Sequence, residues 1–174
     1  MIEYLNFVES LARHGGTDQV FFNSGPNHAA IVMANIFRFA KSEVNIYCGG
    51  FSGEVSNDHR YLRELENYLE RGGRVVILVE QDLSKNGSSK IYNVLRKYKE
   101  KVDIYLSQGQ VTDTRNGNPV HITIADGRMY RLETGIHDYT AEVNFNNPER
   151  VALFASFINQ LMEDSRDFKI NLAA

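Results

Sequence analysis

The stretch RVVILVEQD, Arg74 to Asp82, decides how this chain is read. Its apolar residues run unbroken from Val75 to Val79. A strand with one wet face would alternate apolar with polar residues, so this run predicts a strand covered on both faces. That is the situation inside a parallel sheet with helices on either side. The neighbours agree with it. Upstream, DHRYLRELENYLERGG (Asp58–Gly73) places Tyr61 or Leu62, Leu65 and Leu69 on one helical face and ends in a glycine pair. Downstream, SKIYNVLRKYKEKV (Ser89–Val102) predicts another helix and DIYLSQ (Asp103–Gln108) another strand. The order is that of an α/β fold.

Working outward, VNIYCGGF (Val44–Phe51) is a second buried-type strand ending in glycines. Before it, SGPNHAAIVMANIFRFAKSE (Ser24–Glu43) offers a cap region, a proline in the first turn and a long apolar stripe. DQVFFN (Asp18–Asn23) reads as a short strand, and IEYLNFVESLARHGG (Ile2–Gly16) as a helix with Ile2, Leu5, Val8, Leu11 and Ala12 inward. Toward the other end, GQVTDTRNGNP (Gly109–Pro119) is the longest turn-rich loop. VHITIA, then Asp126-Gly127, then RMYRLE reads as a β-hairpin, and YTAEVNFN (Tyr139–Asn146) as a nearby strand. NPERVALFASFINQLMED (Asn147–Asp164) closes the pattern as a helix capped by Asn147, with Pro148 and Glu149 in its first turn.

At 174 residues and 43% hydrophobic, the chain has the size and apolar content of one domain, residues 1–174, with a core from about 19 to 164. A net charge of -3 argues against a protein that coats nucleic acid through general basicity. The single cysteine, Cys48, excludes an intramolecular disulfide and a zinc thiolate cluster, in keeping with a reducing cytoplasm. Residues 1–14 are interrupted by Glu3, Glu9 and Arg13, so neither a signal peptide nor a membrane span is expected. No metal pattern and no Walker or dinucleotide fingerprint occurs, and no cofactor is expected.

Three segments, RGGRVVILVEQD, HITIADGRMYRLE and AEVNFNNPE, together with the element order, resemble the phospholipase D superfamily. The resemblance covers roughly Gln19 to Asp164 and implies a mixed sheet flanked by helices on both faces. Members carry a histidine, a lysine two residues on, an aspartate, then a Gly-Ser pair and an asparagine. The histidine attacks phosphorus, while the lysine and asparagine hold phosphate oxygens. Laid on this sequence, the histidine is His121 and the asparagine is matched to Asn144. Thr123 stands in the lysine position, Asp126 is the loose match to the aspartate, and Thr140-Ala141 stands where the Gly-Ser pair belongs.

Losing the lysine matters most. A phosphoryl transition state spreads negative charge over its oxygens, and catalysis consists largely of meeting that charge with fixed donors. Thr123 can donate one hydrogen bond but carries no cation. Arg128 and Arg131 could supply charge, but their odd separation puts at most one on the face of His121. His121 and Asn144 are therefore the candidate catalytic pair, with Thr123, Arg128 and Thr140 as candidate phosphate contacts. The resemblance implies a degenerate domain that serves binding, assembly or regulation and recognises phosphate groups or nucleic acid. Its rival is a metal-independent phosphodiesterase or nuclease with His121 as nucleophile and an arginine in place of the lysine. Catalytic members pair two motifs across a two-fold axis, so a single motif implies a homodimer. An accessory role in a bacterial defence or nucleic-acid-processing assembly follows by analogy.

Other polar residues invite simpler readings. Glu133, His137 and Glu142 offer metal or acid-base chemistry, but their spacing fits exposed hairpin positions better. His28 near a helix start could meet an anion. Lys90, Arg96, Lys97, Lys99 and Lys101, interleaved with Tyr92 and Tyr98, form either a nucleic-acid surface or a solvated helix face. His14 and His59 read as surface or capping residues, and Cys48 as buried and inert.

Overall fold

The apolar run at Arg74–Val79 lies between two parallel neighbours, as its composition requires. The computed structural model describes residues 1–173. In chain order the elements are α1 (Ile2–Ala12), β1 (Phe21–Asn23), α2 (Pro26–Phe39), β2 (Glu43–Cys48), α3 (His59–Glu70) and β3 (Arg74–Val79). They continue with α4 (Lys90–Lys97), β4 (Val102–Leu106), β5 (His121–Ala125), β6 (Met129–Gly135), β7 (Thr140–Asn144) and α5 (Pro148–Ser165). One sheet of seven strands results, in the order β1-β7-β6-β5-β2-β3-β4. Strands β2, β3 and β4 are parallel, and the remaining pairs are antiparallel.

Alternation along the strands divides the interior in two. Val75, Ile77 and Val79 of β3 join residues of α1, α2, α3 and α4 in the larger core. Leu78 points the other way, into a smaller core with Ile122, Ile124 and Tyr130, sealed by Val151, Phe154, Ile158 and Leu161 of α5. Helices thus cover both faces. Local chemistry sets their ends: Asp58 accepts from the Arg60 amide at the start of α3, and Asn147 from the Arg150 amide at the start of α5. Two expectations change in detail. Ile2 stays exposed, and α4 stops at Lys97 because Tyr98 leaves the helical conformation, with a separate 3₁₀ turn at Lys99–Lys101.

The β5–β6 turn contains one residue more than its Asp-Gly pair needs. Asp126 and Gly127 sit at φ 55° and 69°, and the Arg128 amide donates to the Ala125 carbonyl, closing a type I′ turn. Ala125 nevertheless pairs with Met129, so Arg128 is an extra residue in the second strand. That residue shifts the register by one and exchanges the faces of everything on β6.

Candidate functional site

The shifted register places Glu133 opposite His121, and Arg131 opposite Thr123. Continuing across the sheet, Glu133 pairs with Ala141 of β7, which pairs with Asn23 of β1. His121, Glu133 and Asn23 therefore share one row and one face, with Arg131 in the next row. The carboxylate of Glu133 lies 3.4 Å from His121 Nδ1 and 2.7 Å from Arg131 Nη1. Arg131 Nε donates to Asn23 Oδ1 at 3.1 Å and Nη2 to the Tyr139 carbonyl at 3.3 Å, while the Asn23 amide also donates to that carbonyl. Across the sheet, Glu80 just beyond β3 reaches His121 Nε2 at 2.6 Å, and Gln110 donates to its other oxygen at 2.9 Å.

His121 is thus held between two carboxylates. Burial alone would lower its pKa, but hydrogen bonds and charge from Glu133 and Glu80 outweigh that and raise it. Glu133 moves the opposite way. Burial works to raise its pKa, and the His121 hydrogen bond with the Arg131 charge brings it below the ordinary range. The side chains form a line of alternating charge, Glu80, His121, Glu133 and Arg131. Thr123, in the row of Arg131, directs its hydroxyl at Met33 Sδ at 3.7 Å.

Two cavities meet here. An outer cleft of about 620 Å³ is bordered by Glu80, Gln110, Asn118, His137 and Asp138. An inner pocket of about 210 Å³ lies toward α2 and α3, with Tyr61, Thr123, Arg131 and Glu133 in its wall. Both contain Gly49, Ser52, His121 and Ile136, so His121 stands between them.

Of the residues predicted from sequence, His121 and Thr123 lie in this site. Asn144 does not join them. It is level with Tyr130 and Ile124, three positions along the sheet from the His121 row and on the opposite face, fully buried. Its amide donates to Asp18 at 2.8 Å, and its oxygen accepts from the Asn146 amide. Arg128 lies at the far end of the hairpin, where its guanidinium binds the carbonyls of Gly15, Phe39 and Phe145. Thr140 borders neither cavity, and alternation with Ala141 turns it off the His121 face. Gly135, Ile136 and Asp138 border the outer cleft. Asp126 is a turn residue that binds the start of β2.

Several of the other candidates are occupied. Glu142 bonds Tyr130 and Arg150 on the α5 face, away from Glu133, and His28 stacks on Tyr4. Lys97 pairs with Glu66, Lys101 binds the Leu69 carbonyl and Arg96 the Ser84 carbonyl, which disperses the basic run. Burial pushes the Cys48 thiol up to about 12. Sequence reading missed Glu80, Asn23 and the role of Glu133. The apolar run before Glu80 marks a strand end on the same side of the sheet as His121, which was the available signal for it.

In sequence the chain stands apart: no family model and no curated protein matches it. In structure it does not. The archaeal chromatin protein TrmBL2, which shows a novel mode of DNA binding, superposes with a TM-score of 0.66 at 17% identity. That alignment covers 97% of this chain and 61% of TrmBL2, so this chain spans about three-fifths of that protein's length. Nuc from Salmonella typhimurium, a phospholipase D family member, gives 0.62 at 14% identity over 84% of this chain and 95% of Nuc. NucT from Helicobacter pylori gives 0.56 at 16% identity over 84% and 97%. The chain has the phospholipase D-like fold.

Proposed function

We propose that this phospholipase D-like chain is a non-catalytic domain for binding, assembly or regulation. One observation carries the reading: Nε2 of His121, the nitrogen left over after Glu133 takes Nδ1, faces the Glu80 carboxylate at 2.6 Å. A nucleophilic histidine needs an unprotonated nitrogen free to reach phosphorus, and a phosphate needs cations around its oxygens. Glu80 works against both. It favours the protonated ring, and it places a negative charge where the phosphate would arrive. Arg131 faces Thr123 and is the nearest stand-in for the family's lysine, but its guanidinium already serves Glu133, Asn23 and Tyr139.

The likeness to a DNA-binding chromatin protein supports nucleic acid as the partner class. A homodimer meeting at the mouth of the outer cleft belongs to the same reading. Ile122 and Thr123 are core residues, so a charge there would unfold the chain; exposed His137 is the place to introduce one. Light scattering of the parent and of His137→Asp tests the assembly. For catalysis, the parent is expected to show no hydrolysis of bis(4-nitrophenyl) phosphate in the presence of a chelator. Turnover that disappears in His121→Ala would overturn the non-catalytic reading in favour of the phosphodiesterase.

A further inference from the structure

The inner pocket contains a polar group that the His121 network leaves free. Tyr61, on the first turn of α3, is only 2% exposed and lines the pocket. Every other fully buried tyrosine directs its hydroxyl at a partner: Tyr47 toward the Val111 amide, Tyr68 to the Arg74 carbonyl, Tyr92 to the Gly50 carbonyl and Tyr130 to Glu142. The Tyr61 hydroxyl has no hydrogen-bond partner among the described residues, and only burial and distant charges act on it. Burial raises its pKa, so it is a neutral donor at any physiological pH. The hydroxyl lines the pocket's open space, where a ligand or ordered water can accept its hydrogen bond.

Shape and charge define what fits. The walls around Tyr61 include Met33, Ile46, Phe51, Val55 and Ile136, mostly apolar. The charged groups at the pocket's edge, Arg131, Glu133 and His121, already neutralise one another. An anion or cation entering would have to break that pairing, whereas an uncharged molecule would not. An apolar cavity of roughly 150 Å³ holds benzene, and this pocket measures about 210 Å³.

We propose that the inner pocket binds a small uncharged monocyclic ligand whose acceptor atom receives a hydrogen bond from the Tyr61 hydroxyl. This rests on the site being a binding rather than a hydrolytic one, and it names the ligand class. The test is titration of the ¹⁵N-labelled full chain with phenol, toluene and inorganic phosphate, following the backbone amides from Gly49 to Gly53. Phenol and toluene are expected to shift these amides, and Tyr61→Phe to weaken phenol roughly threefold to tenfold, as loss of one hydrogen bond implies, while leaving toluene unchanged. Three results would overturn the proposal: no shift with either ring at millimolar concentration, equal phenol affinity in parent and Tyr61→Phe, or shifts with phosphate alone. A parallel assay of bis(4-nitrophenyl) phosphate hydrolysis keeps the two readings apart. Turnover there sinks the non-catalytic function whatever the rings do, and failed ring binding without turnover removes only the ligand class.

Discussion

The two ends of the β5–β6 hairpin each hold a carboxylate among several donors, and they do so in opposite ways. At the turn, Asp126 accepts from the backbone amides of Lys41, Ser42 and Glu43 and from the Ser42 hydroxyl, at 2.8–3.4 Å. Burial works to raise its pKa, and those donors bring the net shift down. At the open end, Glu133 is held by side chains alone, His121 and Arg131, and those side chains depend on others. Backbone donors are placed by the fold and cannot titrate, so the Asp126 end is structural. Ionised side chains beside two cavities respond to protons and ligands, so the His121 end is where function is to be sought.

Removing a cation from the second arrangement should have the largest effect. Arg131→Leu leaves Glu133 without its strongest partner and strips Asn23 and the Tyr139 carbonyl of a donor, all in the interior. Breaking a buried charge pair from one side costs about 3–5 kcal/mol. Urea unfolding of parent and variant measures it, and a loss under about 1 kcal/mol would mean that the network is wetter than its burial indicates. Asp126→Ala should cost less, about 1–3 kcal/mol, because the orphaned amides sit near the surface where water can replace the carboxylate. If it proved the more damaging of the two, the division into structural and functional ends would fail.

That division was only partly legible in the sequence. Val75–Val79 announced a strand covered on both sides, and the glycine pairs, Asn147 and Pro148 marked helix ends, because burial and capping are written in local composition. The hairpin was equally visible. Its register was not, since Asp126-Gly127 closes a two-residue turn as readily with Arg128 in the ladder as with Arg128 left over. The first register would put Leu132 opposite His121, and the observed one puts Glu133 there. One residue thus decided whether Glu133 was an exposed hairpin position or the histidine's partner. Asn144 failed for a related reason: the motif's order can be read along the chain, but three positions of travel along β7 carry a side chain to the far end and the other face of the sheet. Asn23 and Glu80 reach the site from strands distant in sequence, and no spacing rule joins them to His121.

The two ends should also separate by pH. The pKa of His121 is raised by folding, so its stabilising contribution is complete below the ordinary histidine value of 6.5 and is lost as pH rises through the folded value. Glu133 is lowered, so its contribution is present above the ordinary glutamate value of 4.5 and lost as pH falls through the folded value. Together they support the fold most between about 4.5 and 6.5. Asp126 shares the acid limb, because its pKa is also lowered. The alkaline limb is therefore the informative one: His121→Gln should flatten the fall in stability above 6.5, while the acid limb weakens, because His121 also lowers Glu133, but persists through Arg131 and Asp126. An unchanged alkaline limb in that variant would mean that His121 is not held as a cation between Glu80 and Glu133.

The smallest expected effect tests the free hydroxyl, and it uses two tyrosines of the same helix. Tyr61 and Tyr68 both lie on α3, are almost wholly buried and pack against Phe37 from 5.6 and 5.5 Å. They differ in the hydroxyl: Tyr68 donates to the Arg74 carbonyl at 2.8 Å, and Tyr61 has no hydrogen-bond partner among the described residues. Tyr68→Phe loses a bond and leaves a carbonyl short of a donor, which should cost about 1 kcal/mol. Tyr61→Phe loses a hydroxyl that faces the pocket and leaves no protein group short of a partner, so its unfolding free energy should stay within about 0.5 kcal/mol of the parent. Both variants keep the ring, so packing cancels and denaturant midpoints compare the hydroxyls directly. A Tyr61→Phe loss as large as that of Tyr68→Phe would mean that ordered water already fills the inner pocket and satisfies the phenol. A ligand would then have to displace that water, and its affinity would reflect the exchange rather than the filling of an unmet donor.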